Sequence, residues 1–271
     1  MPFEPLDPNE WKRALRRVGL VGPPNSWKTS SLFTWPRPIH ILLFPGEGGG
    51  STIPQLEGVF PYIWKEEPGM APEAVRDQVW NTTMDILAGK RGDIKTFAGD
   101  GFHKCYTVFR EARYAELKAA FPNTDEEKLG GRAYGEAHQL TYRYFRKVCS
   151  SAVPYVVFTM WSSKEKDDRD DKNANAPTHI WPDLPGEMAK NVLGELPIVL
   201  YAQPGQEIAP GKFREGTWQT KPSGKVWGAG CKLPPAIAAR IPTIWPNQDW
   251  AKFEAHILGT TAPAAGQEVK K

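Results

Sequence analysis

Gly22-Pro23-Pro24-Asn25-Ser26-Trp27-Lys28-Thr29, continued by Ser30, is the stretch whose reading decides the fold of this chain. The apolar run at residues 17–21 before it reads as a strand, and residues 28–33 leave room for one short helix before Pro36. A strand, a Gly-Pro turn and a Lys-Thr pair at a helix start form the context of a phosphate-binding loop. Backbone N–H groups and the helix dipole would face phosphate oxygens, the lysine would reach the β- and γ-phosphates, and the threonine hydroxyl would hold Mg²⁺. On that reading Gly22, Pro23, Pro24, Asn25, Ser26, Trp27, Lys28, Thr29 and Ser30 line a nucleotide, and Lys28 also serves catalysis. One position departs from the pattern. Trp27 stands where glycine normally lets the backbone approach phosphate without a Cβ, and a bulky residue in a strained backbone region costs about 1–3 kcal/mol. The expectation is a loop that relaxes slightly with the indole turned outward, or one that binds nucleotide weakly. The alternative is a plain strand-turn-helix with a coincidental Lys-Thr.

Outward from this loop, strands alternate with helices. A second strand is expected at residues 39–44, ended by Pro45-Gly46, a third at 94–98 before Gly99-Asp100-Gly101, another at 153–160 and a further one at 196–203. Helical spacing covers residues 71–88, 102–121 and 133–149, the last running straight into a strand. Residues 162–177 read as a charged, turn-rich loop. Residues 213–220 and 225–228 read as a hairpin turning at Lys221-Pro222-Ser223-Gly224, and the tail from Thr260 as frayed. Such alternation implies crossover connections, hence an α/β fold with a mainly parallel central sheet flanked by helices.

Composition narrows the function. With 271 residues the chain forms one large domain, or one domain with a modest appendage. A formal net charge of +3 provides no global field for nucleic acid, so any such contact must come from a local patch. The three cysteines, Cys105, Cys149 and Cys231, fit no CxxC spacing, which points to a reducing compartment with neither a disulfide framework nor a zinc site. The first residues lack a basic segment followed by an apolar run, and the apolar stretch 152–161 is too short to span a bilayer. The expected location is the cytoplasm, with no membrane partner.

The wording Gly-Pro-x-x-Ser-x-Lys-Thr resembles the RecA-type version of the loop. Glu47-Gly48-Gly49-Gly50 is similar to the Glu-Gly-Gly after the second strand of phage RecA-like ATPases, and Asp100 stands where these proteins carry the Walker B aspartate. Gly131-Arg132-Ala133-Tyr134-Gly135-Glu136, a helix, and then Tyr155-Val156-Val157-Phe158-Thr159 follow in the order of the phage AAA-type ATPases, including the Sak-type single-strand-annealing recombinases. The stretch Trp218 to Trp227 resembles their C-terminal hairpin. Two departures are Trp27 for glycine and Pro45-Gly46 for the usual acidic lead-in to Glu47.

The resemblance implies a RecA-like P-loop core with a C-terminal β-hairpin over residues 15–235, an N-terminal extension at 1–14 and a C-terminal segment and tail at 236–271. It implies ATP and Mg²⁺ as cofactors, with Thr29 and Asp100 holding the metal, Glu47 polarising the attacking water and Thr159 sensing the γ-phosphate. The plainer alternatives are a helix-capping Asp100, a solvated loop carboxylate at Glu47 and an ordinary strand-end hydroxyl at Thr159. Implied partners are further copies of the chain, single-stranded DNA and a single-strand-binding protein. Arg132, Arg143, Arg146 and Lys147, with Tyr134, Tyr142 and Tyr144, are the candidate DNA contacts; a half-buried face or subunit contact is the commoner use of such a pattern. The implied activity is ATP hydrolysis in phage recombination or strand annealing. A scaffold with little hydrolysis is the alternative, and a small-molecule kinase is disfavoured because no Arg-rich lid pattern is visible.

Overall fold

The computed structural model describes residues 12, 15–48, 53–65, 67, 69–166, 178–209, 212–222, 226 and 229–260. In chain order the elements are β1 (Arg17–Gly22), α1 (Lys28–Ser31) running into a 3-10 turn (Leu32–Thr34), β2 (Ile39–Leu43), β3 (Val59–Tyr62), α2 (Pro72–Leu87), β4 (Thr96–Asp100), α3 (Phe102–Ala120) and α4 (Glu126–Cys149). Then come β5 (Tyr155–Lys166), β6 (Thr178–Pro182), α5 (Gly186–Glu195), β7 (Ile198–Gln203), β8 (Gln206–Ala209), β9 (Lys212–Arg214), β10 (Thr217–Gln219), β11 (Gly230–Cys231), α6 (Pro235–Ala238), β12 (Ile244–Trp245) and α7 (Trp250–Leu258).

Six strands run parallel in the spatial order β3-β2-β4-β5-β1-β7, and β10 and β12 extend the sheet antiparallel beyond β7. The expected α/β architecture, a mostly parallel sheet flanked by helices, is the one found. Every residue of β2 and β4 is buried, which is why both read as unbroken apolar runs instead of alternating ones. One core, containing Val79, Phe102, Phe109, Tyr144, Phe145 and Val192, packs α2, α3, α4 and α5 against one sheet face. The other holds Val18, Leu20, Trp35, Trp218, Trp250 and Phe253, with Trp35 stacked on Trp250 at 4.0 Å between ring centroids and 8° between planes.

The structure differs from the sequence reading in several places. Helix α4 starts at Glu126 and not at residue 133, because Asp125 caps it by accepting from the N–H groups of Glu127 and Lys128. Residues 162–166, expected in a loop, continue β5 and pair antiparallel with β6, from Ser162 opposite Pro182 to Lys166 opposite Thr178. Residues 167–177 of that loop, and the tail beyond residue 260, lie outside the described residues. Helix α5 was not anticipated. The C-terminal hairpin is formed by β8 and β9, earlier than expected, while Trp218 and Gln219 join the main sheet between β7 and β12. An isolated two-stranded ribbon offers no core for the fully buried Trp218, and the large sheet does. Much of the expected second arm of that hairpin, at 225, 227 and 228, lies outside the described residues.

Candidate functional site

The carboxyl ends of β1, β2 and β4 meet at one edge of the sheet, and β5 lies between β1 and β4. In register, Leu43 stands opposite Asp100 and Leu20 opposite Thr159, so the segments after β1, β2 and β4 converge around β5. This carboxyl edge is where open α/β sheets bind ligands.

The loop after β1 is tightly specified. A Cβ on Gly22 would lie 2.6 Å from Ala202 O and 2.7 Å from Ser26 Oγ, so only glycine fits the strand end. Asn25 (φ 60°) and Trp27 (φ 64°) both take the left-handed conformation. Asparagine tolerates it well; tryptophan does so at a cost. The loop therefore keeps the backbone that glycine would supply, and the Trp27 indole is turned outward, 45% exposed. The buried Lys28 ammonium donates to Gly22 O (2.9 Å), Pro23 O (2.7 Å) and Ser26 Oγ (3.2 Å). Burial lowers its pKa to about 8, opposed by the carboxylates of Asp100 and Glu47.

Asp100 ends β4 and is almost fully buried. Thr29 Oγ1 donates to its Oδ2 at 2.8 Å, and Thr159 Oγ1 donates to its Oδ1. The Gly101 N–H in turn donates to Thr159 Oγ1 at 2.9 Å. Burial pushes the Asp100 carboxyl upward, resisted by those two hydroxyls and by Lys28. The capping alternative is not realised: Gly101 takes the N-cap position of α3, and no side chain caps it. The structure thus places Thr159 on the carboxylate that would hold metal. Thr29 and Asp100, an oxygen pair joined across the two elements, suit a hard divalent cation carrying phosphates.

Glu47 is delivered by a tight turn. Pro45 and Gly46 (φ 83°) occupy the central positions, and Glu47 N donates to Phe44 O at 3.0 Å, as in a type II turn. The Phe44 N–H is tied to Asp100 O at 3.1 Å, which anchors the turn to β4. Glu47 Oε2 is buried without a hydrogen-bond partner among the described residues. Burial and the neighbouring Asp100 raise its pKa, with Lys28 and Lys104 opposing. A carboxylate with an unsatisfied buried oxygen beside Asp100 and Lys28 has the basicity and the spare acceptor needed to orient a water.

His103 and Trp161 complete this corner, and sequence reasoning missed both. His103 is buried with Nε2 3.8 Å from Glu47 Oε2, and its ring stacks on Trp161 at 4.7 Å. Trp161 N–H donates to His103 Nδ1 at 3.4 Å, which leaves the proton of the neutral ring on Nε2, facing Glu47. Burial, with Lys104 and Lys28, lowers the His103 pKa to about 3, so the ring is neutral at physiological pH. The available signal was the place of His103 in the first turn of the helix that Asp100 precedes.

Gly101 is the hinge of the arrangement. Its φ is 80°, and a Cβ there would lie 2.5 Å from Glu47 Oε2. Gly101→Ala is expected to cost about 1–3 kcal/mol of stability through backbone strain and to displace Glu47. Chemical denaturation beside a turnover assay checks this, and an alanine variant with wild-type stability would contradict it.

The four basic candidates for DNA contact are all exposed on α4. Arg132 pairs with Glu136 at 2.7 Å, Arg146 lies 3.4 Å from Glu195, and Arg143 borders a cleft of about 570 Å³ where Arg76 and Arg113 are paired with Glu116 and Glu136. Carboxylates are therefore interleaved with the cations. Tyr144 is fully buried in the core and offers no stacking face, whereas Tyr134 is 45% exposed. No described helix is long and apolar enough to cross a membrane.

No curated protein gives a significant match to the chain. The family model of an AAA domain matches residues 14–227, from just before β1 to beyond β10. That span contains the loop, Glu47, Asp100 and Thr159, on a fold consistent with a P-loop nucleotide-binding core. The chain belongs to the AAA domain family, and is a nucleotide-binding, ATPase-like protein.

Proposed function

We propose that this chain binds ATP with Mg²⁺ at the loop of residues 22–30 and hydrolyses it. The observation that carries the reading is the convergence of Lys28, Thr29, Asp100 and Glu47 at one sheet edge, with Asp100 bonded to Thr29 across 71 residues of sequence. Mg²⁺ would be held by Thr29 and Asp100, directly or through water, and supplies charge neutralisation on the phosphates. Lys28 exchanges its loop oxygens for β- and γ-phosphate oxygens. Thr159 fixes the Asp100 carboxylate, and Glu47 orients the attacking water and accepts its proton.

The finer reading is a phage-type, RecA-like protein of recombination or single-strand annealing, working as an oligomer on single-stranded DNA with a single-strand-binding protein nearby. Its support is the order of motifs resembling the Sak-type group, together with the exposed Arg143 and Lys147 on α4. A scaffold with little hydrolysis is favoured by one observation, the tryptophan in place of the loop glycine. ATP turnover measured with and without single-stranded DNA separates them: stimulation by the strand supports the recombination reading. Binding of ATP with no turnover in either condition supports the scaffold.

A further inference from the structure

Trp27 holds a left-handed backbone conformation that is costly for a bulky residue, yet its indole makes no ring contact among the described residues and stays 45% exposed. Strain of this kind persists at functional sites, where something other than core packing requires it. The indole borders a cavity of about 270 Å³. Trp27 and Ser30 form one side; Gly216, Gln248, Asp249 and Lys252 form the other.

The far side is preorganised. Gln248 Nε2 donates to Gln203 O (2.9 Å) and Thr217 O (3.3 Å), and a Cβ on Gly216 would lie 2.6 Å from that same nitrogen. Asp249 accepts from Lys252 N at 3.1 Å and pairs with its ammonium at 3.2 Å. Trp250 N donates to Thr34 Oγ1 at 2.9 Å, tying this segment to the end of the 3-10 turn that continues α1. At about 270 Å³ the cavity is smaller than the roughly 300–1,000 Å³ of sites that enclose a whole drug-sized ligand, a volume that suits part of one, such as a single flat ring system.

A nucleotide with its terminal phosphate near Lys28, Asp100 and Glu47 must leave the loop on the side away from those residues. None of the three borders this cavity, whereas Ser30, next after Thr29, does. Resting on the nucleotide reading above, we propose that Trp27 and this cavity form the nucleobase subsite, with the indole stacked on the face of a purine. The residue that departs from the loop pattern thereby becomes a binding element, and the left-handed backbone at position 27 is what aims its side chain.

The test is calorimetry with Mg²⁺, titrating ATP and, separately, inorganic tripolyphosphate into the wild type, Trp27→Ala and Trp27→Phe. Base–aromatic stacking predicts that Trp27→Ala weakens ATP binding on the order of tenfold, while tripolyphosphate affinity is unchanged and Trp27→Phe keeps most of the ATP affinity. Equal weakening of both ligands would assign Trp27 to loop shape and overturn the proposal. So would ATP affinity indifferent to Trp27→Ala in a protein that binds both ligands, an outcome that leaves the nucleotide reading standing. A wild type that binds neither ligand removes both readings together.

Discussion

Lys28→Ala is expected to abolish nucleotide binding, with affinity falling by about 10²–10⁴-fold if the ammonium makes two charge-assisted bonds of about 1.5–3 kcal/mol each to phosphate oxygens. The geometry gives the reason. The ammonium is already held by Gly22 O, Pro23 O and Ser26 Oγ, all neutral acceptors of the loop itself. Phosphate oxygens would accept from the ammonium with full negative charge in place of neutral acceptors, so the exchange gains electrostatic energy in a poorly solvated position. A pKa of about 8 keeps the amine mostly protonated at neutral pH. Alanine removes the charge and leaves three loop oxygens without their donor, so far-UV circular dichroism and a thermal melt should accompany the titration. A folded Lys28→Ala protein that binds ATP as the wild type does would sink the phosphate-loop reading.

The parts of this site that were legible in the sequence are those written into contiguous residues. The loop announces itself through Gly22, Lys28 and Thr29, and β2 and β4 through runs buried on both faces. Asp100 and Glu47 were legible because each follows such a run and carries a family resemblance. What stayed hidden is set by partners remote in sequence. The role of Thr159 was open between a phosphate sensor and a plain hydroxyl, and only β5 lying beside β4 puts it on Asp100. His103 meets Glu47 across 56 positions because Gly101 bends the chain there without a Cβ. At the sheet edge, β3 was missed because it is short, carries Pro61 and leaves Phe60 exposed, so no buried pattern marks it. The ladder between β5 and β6 is a backbone pairing under an alternating charge pattern, which composition alone reads as a loop. Trp27 is the instructive case. Its departure from glycine was plain, yet whether the backbone would yield or hold was a question of strain against the rest of the loop.

Asp100 and Glu47 should separate in their effects. Asp100→Ala removes the acceptor of both Thr29 and Thr159, so Mg²⁺-dependent nucleotide binding and turnover should fall together. Glu47→Gln keeps the size of the side chain and the backbone bond from Glu47 N to Phe44 O, and loses only the charge. ATP should still bind, while hydrolysis falls by about 10²–10⁴-fold, the usual reach of a positioned general base. Glu47 is suited to that task by burial and by Asp100, both of which raise its pKa, while Lys28 and Lys104 keep the carboxylate form accessible. The neutral His103 sets the geometry: its Nε2–H faces Glu47 Oε2 from 3.8 Å, too far for a direct bond. Glutamine at position 47 can turn its amide oxygen toward that histidine N–H and still fill the site, so a loss of turnover in a stable variant would report charge and not shape. Measuring ATP affinity and single-turnover rate in the same two variants gives the decision. Turnover indifferent to Glu47→Gln would remove Glu47 from the mechanism, and ATP binding lost equally in both variants would make Glu47 a part of the binding site instead of its base.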